Sequence, residues 1–277
     1  MHVLRAIYII WYREVLRYWR NKSRIVSSFG MPILYLFVFG SGLSPSMGRF
    51  ASGASEGGIG YIKFMFPGII GMTVFFTSIM SGISIVWDRE FGFLKEVLVA
   101  PVSRTAVALG KALGGSTVAM IQGTLMLLFA PLVGFRLTPG LVLKLWPLMF
   151  LMALSMTSLG VLIAARMRDT EGFGMVMNFL TMPMYFLSGS FFPLRGLPAW
   201  MGFLVKLDPL TYAVDALRQV MLSSIELPAA AMELLPQMGI GVTVLGHSMA
   251  LYEDAMVVAG FGALMIILAV WMFNIQE

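Results

Sequence analysis

Six stretches of this chain contain no Asp, Glu, Lys or Arg: Ile25–Gly48, Phe64–Trp87, Ala112–Phe135, Leu145–Ala165, Gly172–Leu194 and Ala255–Gln276, each 21 to 24 residues long. A helix advances about 1.5 Å per residue and a bilayer's hydrocarbon core is about 30 Å thick, so roughly 20 apolar residues suffice to cross it. Each stretch is long enough, and each is rich in Leu, Ile, Val, Phe and Met. Burying six such helices in a water-soluble core would require a polar shell. With 58% hydrophobic and 12% charged residues over 277 positions, the chain has no material for one. An outer-membrane barrel would show segments of about 10 residues with alternating polarity, and that pattern is absent. The expectation is an all-α integral membrane protein with six transmembrane helices. Cysteine is absent, which removes disulfides, thiolate metal sites and cysteine nucleophiles.

Loop charges orient the spans. With the N-terminus inside, the inner side carries Arg5, Arg13, Arg17, Arg20, Lys22 and Arg24, then Arg89, Lys95, Arg104 and Lys111, then Arg166 and Arg168. The two short outer loops carry Arg49, Lys63, Arg136 and Lys144. The excess favours a cytoplasmic N-terminus, and six spans then return the C-terminus to the same side. Leu234–Tyr252 is also free of full charges, but Pro236, Gly239, Gly241 and Gly246 weaken it as a helix, so six spans are preferred to seven. Basic residues recurring to Arg24, and an apolar run too long for an h-region, argue against a cleaved signal.

Residues 1–24 predict an amphipathic helix lying in the membrane interface. On a helical projection Arg5, Arg13, Arg17 and Arg20 share an arc of roughly 120°, opposite Val3, Leu4, Ile7, Tyr8, Ile10, Trp11, Val15, Tyr18 and Trp19. The arginines would meet anionic headgroups, with Trp11, Tyr18 and Trp19 at headgroup depth. Glu14 falls on the apolar side, where it must pair with an Arg or touch a partner.

The loop after span two is the most distinctive inner segment. Asp88, Arg89, Glu90, Lys95 and Glu96 are interleaved with Phe91, Phe93, Leu94, Val97 and Leu98. Apolar side chains kept in a cytoplasmic loop mark a contact surface. Pro101 ends the segment, and Ser103 is placed to cap the next helix.

The chain shows no energy source of its own. Gly110-Lys111 has Thr105, not glycine, five positions upstream, so there is no phosphate-binding P-loop. His2 and His247 are far apart, and no metal-ligand spacing appears. No ionisable carboxylate, Lys or Arg lies within the six stretches, where ion-coupled carriers place such groups. Ser155, Ser158, Ser188 and Ser190 read as interhelical hydrogen bonders. After span five, Pro183, Gly189, Pro193, Gly196 and Pro198 interrupt the chain, and residues 199–218 are apolar but too short to span. Two half-inserted helices at the outer face would satisfy this, with Asp208-Pro209 as their turn and Asp215 and Arg218 placed to pair.

With these residues assembled, the sequence resembles the permease subunit of type 2 ABC transporters, in the branch that exports drugs, lipids and polysaccharides. The resemblance covers the whole chain. It rests on the amphipathic helix, on Glu90-Phe-Gly92-Phe-Leu-Lys95 with Ala100-Pro-Val-Ser-Arg104, on Leu187-Ser-Gly-Ser-Phe-Phe-Pro193, and on Asp208-Pro-Leu-Thr-Tyr-Ala-Val-Asp-Ala-Leu-Arg218. Asp208 stands where family members more often have Asn.

The resemblance implies a single permease domain over 1–277: interfacial helix 1–24, spans one to five over 25–194, a re-entrant outer region over 195–254, and span six with the tail over 255–277. It implies two copies of this permease with two ATPase subunits that hold the ATP and Mg, membrane lipids around them, no nucleic acid, and a bacterial or archaeal inner membrane. Asp88, Arg89, Glu90, Phe91, Gly92, Leu94 and Arg104 would form the ATPase-coupling segment. Phe191, Phe192, Pro193, Pro209 and Tyr212 would form an outer gate. Phe75, Phe76, Thr77, Met80, Asn178, Met182 and Tyr185 would line the route. Met-rich, Phe-rich spans tilt the cargo toward a hydrophobic drug or lipid; a lipo-oligosaccharide or polysaccharide is the alternative. An intramembrane lipid-modifying enzyme is the rival of another class, and it would need converging carboxylates in 195–254.

Overall fold

The computed structural model describes residues 2–42, 60–91, 103–194, 196–225, 241–244 and 247–275. These form helices α1 (His2–Arg20), α2 (Lys22–Ser27), α3 (Gly30–Gly42), α4 (Tyr61–Met80), α5 (Ile83–Glu90), α6 (Arg104–Leu127), α7 (Pro139–Arg166), α8 (Thr170–Leu187), α9 (Ala199–Leu207), α10 (Pro209–Leu222) and α11 (Leu251–Ile275). A two-stranded antiparallel ladder, Thr243–Val244 with His247–Ser248, precedes α11. The described part of the Leu234–Tyr252 stretch is therefore ladder rather than a seventh helix until Leu251.

Among the described residues, three segments are long and apolar enough to cross a bilayer: Tyr61–Glu90, Pro139–Arg166 and Leu251–Ile275. The six-span expectation is thus matched at three of its stretches by length and composition. The first stretch breaks at Ser28 and Phe29 into α2 and α3, and its remainder lies outside the described residues. α6 is long, but Lys111, Ser116, Thr117, Gln122 and several glycines dilute its apolar character. α8 opens on Thr170-Glu171-Gly172.

Local chemistry sets the helix starts. Ser103, Thr138, Asp169 and Asp208 each accept a hydrogen bond from a first-turn amide of α6, α7, α8 and α10. Pro139 and Pro209 follow as first helical residues, where a missing N–H costs nothing.

α4, α6, α7 and α11 pack around one core, with α10 against α4, α7 and α11. Small residues let backbones approach, as helices without an aqueous driving force require. A Cβ on Gly82 would stand 2.5 Å from the Gly160 carbonyl oxygen, and one on Gly160 would collide with the Ile79 carbonyl. Gly262 of α11 lies beneath Ser155 of α7, whose hydroxyl reaches the Val258 carbonyl at 2.9 Å. Ser155 is thus interhelical as expected. Ser158 and Ser188 instead bond back to Leu154 and Tyr185 of their own helices, the usual outlet for a hydroxyl with a free i−4 or i−3 carbonyl, and Ser188 also pairs with Ser190 at 2.7 Å.

Candidate functional site

α1, expected as an amphipathic interfacial helix, rests one face on α6. It runs alongside α6 in the same direction: Gly110 sits under Ile10, Gly114 under Glu14, Trp11 Nε1 donates to Thr117 Oγ1 at 2.9 Å, and the Tyr18 hydroxyl bonds to Gln122. Trp11 and Tyr18 are therefore turned into the protein and not toward headgroups. The reason is Glu14. Lys111 lies one helical position after Gly110 and is 5% exposed; its Nζ meets Glu14 Oε1 at 2.7 Å, Asp88 Oδ2 at 2.6 Å and Ser84 Oγ at 3.0 Å. Arg13 Nη2 donates to the other Asp88 oxygen at 2.7 Å. Two cations and two carboxylates thus close a network joining α1, α5 and α6. Arg17 stacks over Trp87, 5.0 Å from its ring centroid, on the same side.

Every described member of the expected coupling segment is engaged here or exposed beside it. Asp88 faces inward, into the network. Arg89 donates to the carbonyls of Ala165 (2.8 Å) and Met167, satisfying the C-terminal end of α7. Glu90 accepts from the Thr170 amide at 3.3 Å, placing negative charge at the start of α8. Arg104 reaches the Asn274 carbonyl at the end of α11 at 3.4 Å. Phe91 is 80% exposed. Gly92 and Leu94 lie outside the described residues. The described residues that flank 92–102, Asp88, Arg89, Glu90 and Arg104, thus bond to α1, α6, α7, α8 and α11.

At the opposite end, the segment after α8 folds over α4. Tyr61 donates to the Phe191 carbonyl at 2.9 Å. The Phe191 ring packs on Tyr35, Tyr185 and Phe186 with centroids 5.4, 4.9 and 5.7 Å away. Arg218 Nη2 donates to the Gly189 carbonyl at 2.6 Å while its guanidinium covers Phe64 at 4.3 Å. Gly189 has φ +70, a conformation that a side chain would strain, and a Cβ on Gly68 would strike Ser190. Asp215 does not close on Arg218. Its Oδ2 accepts from the Val242 amide (2.9 Å) and from Gln219 (3.2 Å), and Gln219 also bonds Asp254 of α11 at 2.8 Å. Asp208 caps α10 through Leu210 N at 2.9 Å, and burial pushes its carboxyl up to about 8. Tyr212 donates to the Lys206 carbonyl at 2.8 Å and Pro209 is buried, so α9 and α10 form a fixed helix-turn-helix. Phe192 is half-buried and Pro193 exposed.

Residues 5–222 match the family model described as ABC-2 type transporter. The chain belongs to this family. It is 28% identical over 218 residues to "Putative transport permease ycf38" of Cyanophora paradoxa, covering 78% of this chain and 73% of the relative. It is 27% identical over 224 residues to "Nodulation protein J" of Rhizobium meliloti (strain 1021), covering 80% of each. It is 26% identical over 197 residues to "Probable multidrug ABC transporter permease YbhR" of Escherichia coli (strain K12), covering 70% of this chain and 53% of the relative. It is therefore a transport permease component, of a family that normally works with an ABC ATPase subunit.

In this ABC-2 permease the expected route residues divide. Phe75 is fully buried and Tyr185 2% exposed, and Phe76 joins their rings in the aromatic packing between α4, α8 and the 188–191 turn. Phe76, Thr77 and Met80 are half-buried, and Asn178 and Met182 are exposed. Asn178 and Met182 share α8 with Met175, Phe179 and Phe186, which form an exposed apolar stripe at helical spacing. Sequence reasoning missed Lys111, Gln122, Gln219 and Asp254 as partners. Lys111 had a legible signal in the Gly110-Lys111…Gly114 pattern, a cation flanked by small residues one turn apart.

Proposed function

We infer that this permease works with a separate ATPase subunit to export a hydrophobic or amphiphilic compound, a drug or a lipid, as a pair of copies. The observation that carries this reading is the set of bonds made by the residues flanking 92–102. Asp88, Arg89, Glu90 and Arg104 bond to five helices, while Phe91 between them is presented outward. ATP binding draws two ATPases together, the segment moves with its ATPase, and the fastened helices tilt as a unit. Shifting such an equilibrium from 1:99 to 99:1 takes about 5.5 kcal/mol of differential affinity. The α8 stripe supports a second copy: Phe179 is 83% exposed, and facing α4 and α8 of two copies would enclose the route. Methionine-rich walls adapt to varied apolar cargo, and the relative YbhR carries "multidrug" in its name.

The test is co-reconstitution with the ATPase. Glu90→Ala and Leu94→Asp should leave the permease in the membrane and ATP hydrolysis running, with transport lost. Normal transport by both variants would overturn the coupling role.

A further inference from the structure

The junction of α1 and α2 holds an open concavity of about 760 Å³ lined by Arg13, Leu16, Arg17, Arg20, Asn21, Lys22, Ser23 and Asp88. Its one carboxylate, Asp88, is already held by Arg13 and Lys111. Among the described residues no ion pair joins a carboxylate to Arg17, Arg20 or Lys22, so three cations border one open hollow whose single carboxylate, Asp88, is already paired elsewhere. On another side of α1, Leu4, Tyr8, Tyr12 and Trp19 share one arc of roughly 80° and are exposed. α1 thus has three sectors. One (Ile7, Ile10, Trp11, Glu14, Tyr18) rests on α6, one is apolar and uncovered, and one is basic and opens into the hollow.

We propose that this concavity binds the phosphate-bearing headgroup of an anionic membrane lipid. Phosphate is the ligand chemistry that Arg17, Arg20 and Lys22 around one hollow favour, because each guanidinium offers paired N–H donors to phosphate oxygens; Ser23 Oγ is already spent on Asn21 Oδ1 at 2.8 Å. The uncovered apolar sector decides the source. An acyl chain can lie along Tyr8, Tyr12 and Trp19 while its headgroup fills the hollow, whereas a soluble anion would leave that surface bare. Occupancy also has a consequence for coupling: the bound lipid would bridge α1 and α2 next to the Asp88–Lys111 network, bracing α1 against α6. Each surface cation near anionic lipid contributes about 1 kcal/mol, roughly fivefold in affinity.

The experiment is an equilibrium titration of the purified full chain in neutral micelles with tail-labelled phosphatidylglycerol and, separately, phosphatidylcholine. The wild type should prefer phosphatidylglycerol by more than tenfold. Arg20→Gln and Lys22→Gln, both at exposed positions, should each cut that preference about fivefold, and the Arg17→Gln/Arg20→Gln/Lys22→Gln triple should abolish it. Arg5→Gln, on the same helix but outside the hollow, should leave it unchanged. Equal binding of the two lipids by the wild type, or an Arg5→Gln loss as large as that of Arg20→Gln, would overturn the site. Displacement of phosphatidylglycerol by a few millimolar inorganic phosphate would overturn the lipid source.

Discussion

Lys111→Met removes the ammonium that holds Glu14 and Asp88 together. Its Nζ touches both carboxylates at 2.7 and 2.6 Å, with side chains 4%, 11% and 9% exposed, so all three groups are nearly dry. Arg13 still holds Asp88 after the substitution, but Glu14 is left as a buried charge without its partner. Breaking a buried pair from one side costs about 3–5 kcal/mol. The remaining Arg13–Asp88 pair places the expectation near the lower end, about 3 kcal/mol. Unfolding by SDS titration in mixed micelles, followed by helical ellipticity, measures it, and trypsin cleavage at Arg13 or Arg17 reports whether α1 has left α6. Glu14→Gln and Lys111→Met should also be non-additive. Glu14→Gln/Lys111→Met removes the orphaned charge and should be at least 1 kcal/mol more stable than Lys111→Met alone. A cost below about 1 kcal/mol for Lys111→Met, or a double variant less stable than the single, would refute the view that this network fixes α1.

Three further outcomes follow from the same geometry. Gly160→Ala drives a methyl into the Ile79 carbonyl at the α4–α7 crossing, and should cost about 1–3 kcal/mol by overpacking, measured in the same titration. Arg89→Ala frees the Ala165 and Met167 carbonyls at the end of α7; it should lower stability by about 1–3 kcal/mol and reduce transport per ATP hydrolysed, while Arg89→Lys restores only part of both. The folded pKa of Asp208, about 8, lies above its ordinary 3.8, so the folded state holds the extra proton and stability falls as pH rises between those values. Asp208→Asn keeps the cap on α10 and should raise the melting temperature at pH 8 but not at pH 4.

The helices were legible where one physical signal dominated. Charge-free runs located Tyr61–Glu90, Pro139–Arg166 and Leu251–Ile275, and capping chemistry located Ser103. The helix-turn-helix at 199–222 followed from Asp208-Pro209 between two apolar segments. The lie of α1 was not legible. A helical projection separates basic from apolar sides, but it cannot tell an apolar side facing lipid from one facing Gly110 and Gly114. Glu14 was the discordant residue, and its partner Lys111 lies 97 positions away. Likewise Phe75 and Asn178 look equally eligible for a route by position, yet packing buries the first and exposes the second. The spacing of Asp215 and Arg218 suggested a helical pair, but each side chain found a backbone partner from a distant turn, Val242 N and Gly189 O.

In the proposed mechanism, motion enters this permease through the segment that begins at Phe91. The chain contains no cysteine, so Phe91→Cys is a unique attachment point. A short bifunctional crosslinker placed there in the reconstituted complex, with and without ATP, measures the claim directly. One crosslinked product with the ATPase subunit should form in both states, and transport should be lost once it forms. Crosslinking only to lipid or to a second permease, with transport intact, would contradict the mechanism.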